Sequence, residues 1–170
     1  SMKVVVNATP LIALAILQYL ELLPQLFEEV FVPPIVFEEV AIQGANRPGR
    51  ANIASQTQMI IQAPKANSTI EPLLLGLDAG EFQVILLGLE LQADWVLIDE
   101  GLGRRVALSL GLPVKGTLGI LLVGVRAGLI SKVEAKESVQ ELVKNGLRLS
   151  SQLIGMFESE LDKFDEGGVN

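Results

Sequence analysis

A chain of 170 residues, 49% of them hydrophobic, is long enough to bury a core without covalent staples, and it contains no Cys and no His. Disulfides, thiolate or imidazole metal sites, cysteine nucleophiles and any triad with an imidazole base are thereby excluded, which leaves carboxylate, hydroxyl, amine and guanidinium chemistry. The net charge of −7 and the pI near 4.6 argue against a broad basic surface that grips duplex nucleic acid through many phosphates. Oxygen donors of this kind suit Mg²⁺ or Mn²⁺ rather than zinc. Mean hydropathy is +0.45, yet the apolar run over residues 11–23 is interrupted by Gln18 and Glu21, and that over 116–130 by Arg126. Neither supplies the roughly 20 uninterrupted residues of a spanning helix, and no basic segment precedes an apolar one as in a secretory leader. The expectation is a cytoplasmic protein without a membrane span.

In chain order, residues 3–6 form a β-branched run that predicts a strand; Asn7, Ala8, Thr9 and Pro10 then open a helix, with Thr9 as N-cap and Pro10 at the first helical position. Residues 29–32 predict a second strand, and Pro33 and Pro34 start a helix to residue 42 that carries Glu38 and Glu39. Residues 43–50, rich in Gly, Asn, Arg and Pro, read as a loop. A short strand fits 59–63 and a turn fits 64–69, while 73–75 suits strand or helix. From Asp78 a helix runs to Gln92, followed by a strand at 95–98, a helix at 102–110, a short strand at 113–114 and a helix at 117–126. The tail over 134–163 predicts two amphipathic helices broken near Asn145 and Gly146, with fraying beyond 166. Strands alternating with helices imply an α/β fold whose central parallel sheet carries helices on both faces. No repeat or long linker interrupts the chain. It divides into an α/β domain over 2–130 and a C-terminal helical extension over 131–165 packed on the same domain.

The acidic residues fall where such a sheet presents chemistry. Asp99 follows the strand at 95–98, whose carboxyl end faces the ligand crevice of an open parallel sheet, and Asp78 and Glu81 open the helix before it. Each also has a purely structural explanation. Asp78 and Glu81 have the spacing of a capping box, Asp99 suits the start of a turn or the cap of the next helix, and Glu39 suits a solvated helix face. A shared pocket is favoured by recurrence: acidic or amide groups stand after the first strand, on the following helix, at a helix start and after a later strand. In a parallel sheet these positions converge at one edge. Nothing matches a phosphate-cradling P-loop or a dinucleotide fingerprint, and no acidic pair follows the first strand as a phosphoacceptor domain requires.

Five segments in order, VVVNATPLIALA from Val4, VPPIVFEEV at 32–40, LDAGE at 77–81, DWVLIDEGLGRRVALSLGL at 94–112 and KGTLGILL at 115–122, resemble a PIN domain. More narrowly they resemble its VapC-like prokaryotic subfamily with a C-terminal helical extension. The resemblance implies a PIN-like three-layer α/β sandwich and an acidic cluster that holds Mg²⁺ or Mn²⁺ to hydrolyse RNA phosphodiesters. It also implies a homodimer and a toxin restrained by a cognate antitoxin. By this resemblance Asn7 stands where the family has its first-strand Asp, with Thr9 as the hydroxyl residue beyond it. Glu39, Glu81 and Asp99 take the other acidic positions, as metal ligands and catalytic residues. Arg104, and less directly Arg105, would contact a substrate phosphate; Glu38 and Glu100 are neighbours without an assigned role.

Asn7 is the departure from that pattern. An amide oxygen ligates a hard cation but brings no charge, and one unit of attraction at about 4 Å is worth on the order of 4 kcal/mol at an effective dielectric near 20. The alternative expectation is therefore a catalytically weakened or inactive PIN-like protein that works through protein binding or oligomerisation. The acidic surface and the apolar runs at 11–19 and 118–125 would serve it, although the ordinary role of such runs is core.

Overall fold

Strand β1 (Lys3–Val6) buries Val4, Val5 and Val6 completely, so neither of its faces meets water. A continuous apolar strand of this kind belongs at the centre of a parallel sheet covered on both sides. In the computed structural model, which describes residues 2–43, 58–65, 70–71, 76–99 and 101–164, β1 pairs in parallel with β2 (Glu29–Val32) and with β4 (Trp95–Leu97). Strands β3 (Met59–Ile61) and β5 (Val114–Lys115) complete an all-parallel sheet of order β3-β2-β1-β4-β5. Val4 lies opposite both Val30 and Trp95, and Val6 opposite Leu97. The order runs outward from β1 through β2 to β3 on one side and from β4 to β5 on the other. Right-handed crossovers place these two sets of connections on opposite faces, giving the expected three-layer α/β architecture. The same reversal makes the carboxyl ends of β1 and β4 the topological switch point.

Eight helices occur among the described residues: α1 (Ala8–Ile16), α2 (Leu22–Leu26), α3 (Pro34–Gln43), α4 (Ala79–Leu91), α5 (Leu102–Ser109), α6 (Thr117–Arg126), α7 (Lys132–Lys144) and α8 (Ser151–Asp162). Helix α1 starts earlier than the Thr9 cap predicts. Asn7 occupies the N-cap position with extended backbone and no side-chain cap bond, and Thr9 and Pro10 lie inside the first turn. Pro10 is tolerated there because first-turn N–H groups have no intrahelical partner. Helix α2 is a short turn containing Pro24 that the pattern does not predict. Helix α7 begins before the expected 134 because Ser131 caps it, its hydroxyl accepting from the Glu134 N–H while the Glu134 carboxylate accepts from the Ser131 N–H. The break at Asn145 and Gly146 is present. The readings for 44–50, 66–69, 73–75 and beyond 166 lie outside the described residues.

Contacts divide the chain into Ser1–Gly116, which holds all five strands and α1 to α5, and Thr117–Asn170, which holds α6 to α8. Within the second unit α6 packs on both α7 and α8. Within the first unit α4 packs on β1 and β4 and touches α3 and α5. The apolar runs considered as partner surfaces are mostly core, with Leu11, Leu14, Leu118, Ile120, Leu121 and Val125 all buried. Among the described residues no helix is long and apolar enough to cross a membrane.

The seat of α4 on the sheet depends on Gly88, where an added Cβ would stand 2.7 Å from Val96 Cγ1. Val96 is β-branched and fully buried, so it has no rotamer into which to retreat. Gly88→Ala is expected to lose about 1–3 kcal/mol in urea unfolding through overpacking. At Gly155 of α8 an added Cβ meets nothing within 4 Å, so Gly155→Ala should be neutral or stabilising by up to about 1 kcal/mol. Equal effects at the two positions would contradict this packing.

Candidate active site

The β1–β4 ladder runs to the edge of the sheet. The Asn7 N–H donates to the Leu97 carbonyl at 3.0 Å, and one residue beyond β4 the Ile98 N–H donates to the Lys115 carbonyl at 3.0 Å. Asn7 and Asp99 therefore leave the sheet at the switch point, both partly buried.

Helix α4 brings two carboxylates to this region through its own capping. Asp78 Oδ1 accepts the Glu81 N–H at 2.7 Å, and Glu81 Oε1 accepts the Asp78 N–H at 3.3 Å, which completes the capping box that the sequence spacing suggests. The Glu81 carboxyl group also accepts from the backbone of Gly103 in α5. That contact is so close that a Cβ on Gly103 would lie 2.6 Å from Glu81 Cδ. On the other side of the first turn of α4, a Cβ on Gly80 would stand 3.4 Å from both Asn7 Oδ1 and Asp78 Oδ1. Gly101 is the N-cap of helix α5, and its φ of +90° is one that a glycine adopts without strain.

Asp99 is held by different means. Arg104 Nη1 donates to the Ile98 carbonyl at 2.9 Å and to the Asp99 carbonyl at 3.3 Å, so the guanidinium braces the turn after β4. A Cβ on Gly116 would meet Asp99 Oδ1 at 2.8 Å. Consecutive residues of α5 thus seat the two acids: Gly103 lies under Glu81, and Arg104 holds the backbone of Asp99.

Glu39, half-buried on α3, is drawn into the same field. Its carboxyl is pushed above the ordinary carboxylate range by burial and then by the negative charge of Asp78. Glu81 is raised by the same two causes in the same order, although the backbone N–H groups of Asp78 and Gly103 oppose the shift. The structure therefore gathers Asn7, Glu39, Asp78 and Glu81 around the start of α4, with Asp99 fixed at the neighbouring strand end. Thr9, Glu38 and Arg105 are exposed, and Glu100 lies outside the described residues.

Asp78 is weighed in the sequence beside Glu81 but not carried forward as a site residue, and the seating glycines Gly103 and Gly116 escape the reading of the sequence altogether. The capping-box spacing already accounted for Asp78, and a glycine's lack of a side chain carries no visible signal until its neighbour is known.

The donor set is entirely oxygen, which fits a hard divalent cation. Among the described residues no group of three or more acidic side chains comes together closely enough to hold an ion. Mg²⁺ commonly uses only one or two carboxylates, keeping waters and taking substrate phosphate for the rest, so this set fits such a cation with Asn7 as an additional oxygen donor.

The raised carboxyls carry a pH signature. Glu39 and Glu81 bind protons more tightly in the folded chain than at their ordinary value of 4.5. Their contribution to stability is fully present below that value and is lost as pH rises through the raised folded values. The metal-free protein should therefore lose thermal stability as pH climbs from 4.5 towards neutrality. Glu81→Gln, which keeps the capping box, should flatten that slope in thermal melts. Identical slopes in parent and variant would remove Glu81 from this account.

A family model described as DUF3368, a PIN domain, matches residues 3–163. No curated protein matches the chain. With nearly the whole chain matched and the parallel three-layer fold in place, the protein belongs to the PIN domain family, a fold of nuclease type.

Proposed function

We propose that this PIN domain is a metal-dependent ribonuclease that hydrolyses RNA phosphodiesters at the carboxyl ends of β1 and β4. The observation that carries the reading is the placing of Asn7, Glu39 and Glu81 near Asp99 at the sheet's switch point, with Glu39 and Glu81 raised by burial and then by the negative charge of Asp78. Asn7, Glu39, Glu81 and Asp99 would hold Mg²⁺ or Mn²⁺. When bound, such an ion polarises a phosphoryl oxygen and lowers the pKa of a coordinated water. Glu81 contributes a carboxylate already oriented by two backbone N–H groups, so little of its freedom is left to lose on binding. Asp99 is presented by the turn that Arg104 braces. Arg104 has one nitrogen committed to that turn, which leaves its other N–H donors for a phosphate. Thr9, exposed on the first turn of α1, would face the substrate side of the same edge. A toxin role with a cognate antitoxin, a homodimer and a cytoplasmic location belong to this reading through family membership.

A second reading is favoured by one observation, the uncharged Asn7. In it the chain is a PIN-like protein that acts by binding a protein partner or by oligomerising. Calorimetric titration with Mn²⁺ separates the two. The nuclease reading expects saturable binding that is at least tenfold weaker in Asp99→Asn, together with Mn²⁺-dependent RNA cleavage lost in the same variant. If the parent neither binds Mn²⁺ nor cleaves RNA, while Asn7→Asp gains both, the parent is a binding protein.

Gly103→Ala supplies a cleaner separation of site from fold. The atoms in its way belong to the flexible end of Glu81, so the helix should accept the methyl group and the carboxyl should move. Unfolding free energy is expected to change by less than about 1 kcal/mol, with Mn²⁺ affinity falling as far as in Glu81→Gln. Undiminished affinity would mean that the observed seat of Glu81 is irrelevant to the cation.

A further inference from the structure

We propose that the exposed face of α5 is the surface on which an RNA strand rests beside the site, with Leu102 against a base and Arg105 against the neighbouring phosphate. The inference rests on the nuclease reading above and deepens it, by naming where the strand lies outside the reacting centre.

Charge along the chain points to this face first. The chain as a whole has 13 cationic and 20 acidic side chains, yet residues 101–116 hold Arg104, Arg105 and Lys115 and no acid. Burial then decides which side chains of α5 meet solvent. Gly103 and Ala107 are buried and turn one side of the helix inward, while Leu102, Arg105 and Leu108 form an exposed stripe at three-residue spacing. Leu102 is 43% exposed and Leu108 52%. Lys115 is drawn over the Trp95 ring, 4.1 Å from its centroid, and Arg104 turns to the carbonyls of Ile98 and Asp99. Arg105 is thus the cation that α5 holds out to solvent. Leu102 stands at the rim of the site, since the next residue, Gly103, lies under Glu81, and a Cβ on Gly76, two residues before Asp78, would lie 3.9 Å from Leu102 Cδ2. Arg105 follows on the same face, about 5–6 Å away between Cβ atoms, a span that one nucleotide covers from base to phosphate. So small a basic patch does not suit a duplex, whose grip takes many phosphate contacts. A base freed from pairing can lay its face on an apolar side chain, and one cation then serves its phosphate.

Single exposed leucines are ordinary on a protein surface. The competing explanations are a Leu102 that only packs on the segment at Gly76, and a stripe that meets a second copy of the chain. The test uses a single-stranded RNA oligonucleotide cleaved by the full chain in Mn²⁺, with KM and kcat measured over a range of salt concentrations and thermal melts run on the same samples. Leu102→Ser and Arg105→Gln are each expected to melt with the parent and to raise KM severalfold with little change in kcat. Arg105→Gln should also lower the slope of log(1/KM) against log salt by about 0.7, the share of one phosphate contact on a single strand. Leu102→Ser should keep the parent slope, because it removes no charge. If both variants cleave with the parent's KM and salt slope while Glu81→Gln is inactive, the stripe has no part in substrate binding, and this inference falls while the nuclease reading stands. If Leu102→Ser and Leu108→Ser leave KM alone and instead separate an assembly of copies in light scattering, the face is a subunit contact and the inference is overturned. If the parent cleaves no RNA in Mn²⁺, the nuclease reading fails and takes this inference with it.

Discussion

Only a hydrogen atom fits between the first turn of α5 and the carboxyl group of Glu81. This close approach at Gly103 fixes the distance between the starts of α4 and α5, and most of the site follows from it. Glu81 can accept from the α5 backbone while its Oε1 completes the cap of α4. The residue after Gly103 is Arg104, whose guanidinium reaches back to the last carbonyls beyond β4. One helical turn therefore registers a helix-borne acid and a strand-borne acid against each other. The sheet contributes the other half of the constraint, because its central strand is buried on both faces and cannot slip without exposing Val4, Val5 and Val6.

The electrostatics of the cluster are a balance between helix capping and self-repulsion. A carboxylate at a helix N-terminus is stabilised by the backbone N–H groups it accepts. Here two such acids occupy a single turn and a third faces them from α3, so burial and like charge outweigh the caps and raise Glu39 and Glu81. The folded chain thus carries a local demand for positive charge. A proton satisfies it at low pH, and a divalent cation would satisfy it near neutrality.

Much of the fold was legible in the sequence because its determinants are local. The β-branched run at residues 3–6, the alternation of strands with helices and the capping spacing of Asp78 and Glu81 each survive in the structure. Thr9 misled as a cap because Asn7 has the extended backbone of an N-cap without making the cap bond, a distinction that residue type alone does not carry. The acids after β1, on α3 and after β4 could be marked as candidates from their places along the chain. Their seats could not, since Gly103 under Glu81 and Gly116 beside Asp99 depend on contacts between segments distant in sequence. Asp78 shows how a local explanation can be complete within its own turn while the charge still reaches beyond it, to Glu39 on α3.

The glycine seats make the chemistry of this chain separable from its folding by single methyl groups. Alanine in place of glycine normally strengthens a helix, so a chain whose Glu81 was displaced by a methyl group at position 103 would still fold and accumulate. Selection acting on abundance alone would not notice the loss. A lineage built on this scaffold can therefore lose the arrangement of its acids without crossing a barrier of instability, and sequences that keep every acid are not for that reason guaranteed to keep the site.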